Sequence, residues 1–167
     1  FPTLNYFELK KGQFILDKNV SIITESDFLP EAKYFTSELK TILNNSVSIN
    51  SKNALKKIIF LKNSTLKKEE YLLNIQTDKI EITAASGSGI LYGIQSIKSL
   101  FPSHSWKSKV NSIAIPNCYV KDIPRFELRG LMFDVARDFQ SKETIFKILD
   151  LMTLYKMNTF HFHFSDD

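Results

Sequence analysis

The sequence predicts an α+β domain followed by a single strand-helix-strand unit, and three observations carry that prediction. Over roughly the first 120 residues, short strand-like runs and two helical stripes follow one another with little strict alternation, which describes an α+β arrangement. The character of the chain then changes after Asp122-Ile123-Pro124-Arg125. Beyond that point strand, helix and strand follow within roughly forty residues, the length of one right-handed βαβ unit. With 167 residues, 43% of them hydrophobic and 24% charged, the chain is long enough to bury roughly 70% of its unfolded surface. That size excludes a disulfide-stapled miniprotein.

In residues 14–24, two apolar stretches flank the polar turn Asp17-Lys18-Asn19, which predicts a β-hairpin or two short strands. Pro30 suits the first turn of a helix. Ala32, Phe35, Leu39, Ile42 and Leu43 then recur at mostly three- and four-residue steps until Asn44-Asn45, so an amphipathic helix is expected. Strands are predicted at residues 47–49, 57–61, 71–76 and 79–84, separated by Ser, Asn, Lys and Asp clusters. In the last of them Ile80 and Ile82 alternate with Glu81 and Thr83, the period of two of a sheet with one wetter face. Ile90, Leu91, Ile94, Ile97, Leu100 and Phe101 form a second helical stripe, stopped by Pro102.

Residues 128–135 are a mostly apolar run, as expected of a strand covered on both faces. Ser141 is placed to cap a helix whose buried stripe is Ile145, Ile148, Leu149, Met152 and Tyr155. Residues 159–164 then alternate, with Phe160, Phe162 and Phe164 on one face and Thr159, His161 and His163 on the other. One such unit has too few strands to close a barrel.

Twenty-two Lys and Arg against eighteen Asp and Glu give a net charge of +4. The basic residues are scattered, so nucleic acid is not an expected partner. The lone Cys118 has no internal disulfide partner and reads as core packing. No apolar run approaches a membrane span, and Phe1-Pro2-Thr3 does not open a signal peptide. These residues leave open a mature protein whose signal peptide is already removed, with a secreted or periplasmic location expected.

Parallel strands carry their functional residues at their carboxyl ends. Here those residues are Asp134, Arg137 and Asp138 after the first strand of the unit, and Ser165, Asp166 and Asp167 after the second. An acidic pair beside an arginine can bind sugar hydroxyls through charge-assisted hydrogen bonds. The same residues also suit a salt bridge that ties strand ends together, and the residues alone leave both readings open. His161 and His163, two apart on a strand, could begin a metal site, although such a site needs further ligands. Gly87-Ser88-Gly89 with Gly93 misses the spacing of a dinucleotide fingerprint and reads as a tight turn into a helix. No nucleophile elbow, HExxH helix or P-loop occurs.

The run Asp122-Ile123-Pro124-Arg125-Phe126, then Arg129-Gly130-Leu131-Met132-Phe133-Asp134-Val135-Ala136-Arg137, Tyr155-Lys156-Met157-Asn158 and His161-Phe162-His163-Phe164-Ser165-Asp166-Asp167, resembles the opening of the catalytic barrel of family 20 glycoside hydrolases. These are the β-N-acetylhexosaminidases. Upstream, Glu70-Tyr71-Leu72-Leu73 and residues 80–95 resemble the family's accessory domain. The resemblance implies an α+β N-terminal domain with a mixed or antiparallel sheet and two helices over residues 1–122. It implies a truncated start of a (β/α)8 barrel over residues 123–167.

By the same resemblance, the parent is an exo-β-N-acetylhexosaminidase that removes terminal N-acetylglucosamine or N-acetylgalactosamine from glycans with retention. The substrate's own acetamido oxygen attacks the anomeric carbon, so no protein nucleophile or cofactor is needed. The family's catalytic Asp-Glu pair lies on a later strand, beyond Asp167, so the chain by itself is expected to be inactive. Arg137 matches the arginine that binds hydroxyls of the terminal sugar. Asp166 matches an aspartate that supports a histidine near the general acid. Arg129 is expected to be structural. Asp138 stands where the family usually has histidine, and it could bridge to Arg137 or neutralise it. Two alternatives stay open: a glycan- or domain-interaction module without catalysis, and a metal-dependent barrel hydrolase using His161 and His163. Exposed strand edges in the barrel segment also predict self-association of the chain.

Overall fold

A computed structural model describes residues 3–165 of the chain, which fall into two compact units divided between Ile123 and Pro124.

The first unit is built on one seven-stranded mixed sheet. Its strands are β1 (Tyr6–Leu16), β2 (Val20–Ile23), β3 (Ser48–Ile49), β4 (Lys56–Lys62), β5 (Tyr71–Ile75), β6 (Lys79–Ala84) and β7 (Ile113–Asp122), laid side by side as β1-β7-β5-β6-β4-β2-β3. The β1 to β6 half of that row is antiparallel, and β6, β4, β2 and β3 run parallel. Two helices join the strands, α1 (Leu29–Ile42) after a 3-10 turn at Ser26–Phe28, and α2 (Gly87–Ser99). Pro30 sits in the first turn of α1, where a missing N–H costs nothing. Ser86 caps α2, its hydroxyl accepting from the Gly89 N–H at 3.4 Å. Gly87 and Gly89 of the rejected dinucleotide motif are therefore in the first turn of a helix, and Gly93 lies further along it.

The core is the apolar period-two face of the sheet, Phe14, Ile22, Ile58, Leu73 and Ile82 among them, closed by Phe35 and Leu39 of α1 and Ile90, Ile94 and Ile97 of α2. Cys118 is buried there as a free thiol, and burial pushes it up to about 11. Tyr71 is the largest fully buried side chain. Its hydroxyl donates to Asp122 Oδ2 at 3.0 Å and lies 2.6 Å from Ser96 Oγ, so that β5, α2 and the end of β7 meet in one polar knot.

The stretches on either side of Asp17-Lys18-Asn19 form two strands, the second of the two arrangements the sequence allows, because β1 pairs with β7 and β2 with β3 and β4. One feature differs from the sequence reading. Strand β7 goes unmarked in the sequence because Pro116 and Asn117 interrupt its alternation. The structure accommodates Pro116 at a bulge, where the β1 register shifts between Leu9 and Gln13. Gly12 takes a φ of 97° there, and Asn117 Nδ2 donates to the Lys11 carbonyl and to Thr77 Oγ1, both at 3.0 Å. The bulge is thus pinned by a side chain.

The second unit holds β8 (Gly130–Asp134), α3 (Lys142–Leu154) and β9 (Thr159–His163). β8 and β9 pair in parallel, with Gly130 opposite Thr159 and Asp134 opposite His163, the pairing a βαβ unit requires. Ser141 caps α3 as its position predicts, accepting from the Thr144 N–H at 3.2 Å. The α3 helix ends with Lys156 at a φ of 57° and the Met157 N–H bonded to the Met152 carbonyl at 2.8 Å, a Schellman closure without glycine. Among the described residues Leu128 is exposed and Met132 is 61% exposed.

Candidate functional site

The carboxyl ends of β8 and β9 lie side by side because the two strands are parallel and in register. Asp134 is the last residue of β8, His163 the last of β9, and the Val135 N–H donates to the His163 carbonyl at 3.0 Å. Register places Met132, Asp134, His161 and His163 on one face, and Leu131, Phe133, Phe160 and Phe162 on the other. Phe160 and Phe162 stack at 5.5 Å between ring centroids, and Phe133 lies 6.4 Å from Phe160. The apolar face of β9 that the sequence marks is real.

Asp134 organises the turn that follows β8. Its Oδ1 accepts the N–H of Ala136 at 3.0 Å and that of Arg137 at 3.2 Å, an aspartate turn that a short side chain makes readily. Its Oδ2 lies 3.5 Å from a guanidinium nitrogen of Arg137. The backbone N–H of Arg137 holds the Asp134 carboxyl below the usual carboxylate range, helped by the Ala136 N–H and by the charges of His163 and Arg137. The side chain of Arg137 is 73% exposed, that of Asp134 only 22%. The arginine therefore reaches outward from a half-buried anchor. Of the two arrangements the sequence allows, a salt bridge is present, and it joins an arginine to the strand end three residues before it.

Asp138 turns to a different partner, its Oδ2 accepting from Gln140 Nε2 at 2.9 Å. Asp134 is thus a carboxylate partner of Arg137 within this turn. At the opposite end of the strands, Arg129 Nε donates to the Lys156 carbonyl at 2.7 Å. Asn158 Oδ1 accepts the Arg129 N–H at 3.0 Å, and Asn158 Nδ2 donates to the Glu127 carbonyl at 2.7 Å. Arg129 is accordingly structural. The clasp it forms with Asn158 was not foreseen from the sequence, although an Asn just before a strand is a recognisable signal for such bonding.

Asp166 lies outside the described residues. His161 faces Met132 across the ladder and His163 faces Asp134. Among the described residues no group of three or more His, Cys, Asp or Glu is placed to hold a metal ion. No helix among the described residues is long and apolar enough to cross a membrane.

Comparison with known proteins agrees with this arrangement. The family model described as glycosyl hydrolase family 20, domain 2, matches residues 1–123, and that described as glycosyl hydrolase family 20, catalytic domain, matches residues 126–167. A Beta-hexosaminidase of Vibrio vulnificus is 32% identical over 171 residues, covering 99% of this chain and 18% of that protein. A Beta-hexosaminidase of Porphyromonas gingivalis is 32% identical over 161 residues, covering 90% of this chain and 20% of that protein. The crystal structure of a GH20 exo beta-N-acetylglucosaminidase from Vibrio harveyi in complex with N-acetylglucosamine superposes with a TM-score of 0.84 at 30% identity, over 99% of this chain and 25% of that one. The chain spans about a fifth of the length of these two curated relatives. On its sequence, its strand pairing and these matches, the chain belongs to glycosyl hydrolase family 20.

Proposed function

We propose that the chain is part of an exo-β-N-acetylhexosaminidase that removes terminal N-acetylglucosamine or N-acetylgalactosamine from glycans with retention. The observation that carries this reading is the run of matches through residues 126–167 to the family's catalytic domain, together with relatives named Beta-hexosaminidase over nearly the whole chain. In this reading Arg137 donates to hydroxyls of the terminal sugar, and Asp166 supports a histidine beside the general acid. The substrate's acetamido group is the nucleophile, and an Asp-Glu pair on a strand after Asp167 orients it and supplies the proton. No cofactor takes part.

The 167 residues by themselves then lack the general acid, whose contribution is on the order of a hundredfold to ten-thousandfold. Assay of an aryl N-acetylglucosaminide tests this. The longer hexosaminidase should release the aryl alcohol and the 167-residue chain should not; inhibitor-sensitive turnover by the short chain would refute the assignment of the acid. The substrate class puts the protein outside the cytoplasm, secreted or periplasmic, which cell fractionation checks. We also propose that the short chain self-associates through the open edges of the β8-β9 pair, supported by exposed Met132 and Phe164. A light-scattering mass that stays monomeric at high concentration would dismiss that.

A further inference from the structure

We propose that Asp134 is the positioning residue of Arg137, holding the arginine's backbone and its guanidinium together so that it meets the sugar in one conformation. The proposal rests on the reading that Arg137 contacts sugar hydroxyls, and adds how an arginine so exposed can do so selectively.

A long side chain in water samples many rotamers, and freezing it on binding costs affinity unless the protein has frozen it beforehand. Among the described residues the Arg137 side chain is 73% exposed, and it is polar bonding that can do this. One carboxylate reaches Arg137 from both directions, with Oδ1 on its backbone N–H at 3.2 Å and Oδ2 at 3.5 Å from its guanidinium. The second bond of Oδ1, to the Ala136 N–H at 3.0 Å, sets the turn between the two residues. Asp134 is itself immobilised as the last residue of β8, paired in the ladder with His163. Asp138, the neighbour that might have competed, is engaged by Gln140. Position, turn and charge therefore converge on one carboxylate, which need not touch the sugar at all.

The two functions of the carboxylate separate by substitution. Asp134→Asn keeps an oxygen for the two backbone N–H groups and loses the charge pair. Asp134→Ala loses both. In the longer hexosaminidase, kcat and KM for an aryl N-acetylglucosaminide should be measured for these variants, for Arg137→Ala and for Asp134→Ala combined with Arg137→Ala, with melting temperatures alongside. Arg137→Ala should lower kcat/KM about ten- to a hundredfold, as loss of a charged hydrogen bond does. Asp134→Ala should approach that loss, and Asp134→Asn should fall between it and the parent, mainly through KM. The double variant should be no worse than Arg137→Ala alone, because residues acting as a unit are not additive.

Losses that multiply in the double variant, or an Asp134→Ala variant within about twofold of the parent while Arg137→Ala is impaired, would overturn the positioning role. An Arg137→Ala variant that itself keeps full activity is a different outcome, which removes the sugar contact and this proposal with it. If Asp134→Ala does not fold, Asp134→Asn carries the test: its KM rise must vanish in the Arg137→Ala background, and a rise that persists there overturns the proposal.

Discussion

The region Thr3–Ile123 and residues 124–165 use the same kinds of element to different ends. In the first, seven strands and two helices bury Phe14, Phe35, Leu39, Tyr71, Leu73 and Ile82 completely. In the second, two strands and one helix leave Met132, Phe146, Leu151 and Phe164 exposed, and Met152 is the apolar side chain that is buried among the described residues. What gives the second region its shape is polar bonding at its ends: the Ser141 cap, the Arg129-Asn158 clasp and the Asp134 turn. Apolar burial stabilises at about 25 cal/mol per Å² whatever its direction, whereas hydrogen bonds set direction and add little net stability. Within the described residues, one region is held by its core, and the other carries polar bonds at the ends of its elements.

The largest test of that contrast is to separate the regions. A polypeptide of residues 1–123 should show a cooperative thermal transition by circular dichroism, while a peptide of residues 124–167 should show none, since an isolated two-stranded sheet is marginal in water. A cooperative transition in the peptide would erase the distinction. Within the first region, Ile82→Ala should cost about 2–5 kcal/mol in denaturant unfolding, because Ile82 is fully buried and packs against Gly93 of α2. A cost below about 1 kcal/mol would mean that the core relaxes around the loss.

Alkaline pH should act on the first region. The Cys118 thiol titrates ordinarily near 9.0 and in the fold near about 11, and burial with the Asp122 carboxylate also pushes the Tyr71 phenol up. As pH rises past 9 the unfolded chain loses these protons first. The folded state then holds more protons than the unfolded one, so stability is fully present below pH 9 and falls as pH rises, by at most about 1.4 kcal/mol per pH unit for each group. Cys118→Val should remove the part of the slope between about 9 and 11, read from denaturant midpoints; an unchanged slope would leave Tyr71 as its source. The smallest effect is expected at Phe146 on α3. Its exposure means that Phe146→Ser should change the stability of the 167-residue chain by no more than about 0.5 kcal/mol.

The sequence by itself determined most of the elements. Three-and-four spacing marked α1, α2 and α3, runs bounded by polar clusters marked β4 and β5, alternation marked β6 and β9, and Ser141 marked a cap, because periodicity and capping are local consequences of backbone geometry. It also marked the family, through motifs in 122–137 and 155–167. Tertiary structure decided what lies beside what. That β1 pairs with β7 and not with β2 depends on strands about a hundred residues apart, which no local period encodes. The place of Pro116 became intelligible only once the partner strand supplied a bulge. At the rim the sequence placed Asp134, Arg137 and Asp138 within five residues, all able to form the same ion pair. Only the turn after β8, bringing the backbone N–H groups of Ala136 and Arg137 onto one carboxylate oxygen, selected Asp134 as the partner and sent Asp138 to Gln140. Charge complementarity is a property of composition, whereas the choice among equal charges belongs to backbone direction, which the folded chain alone supplies.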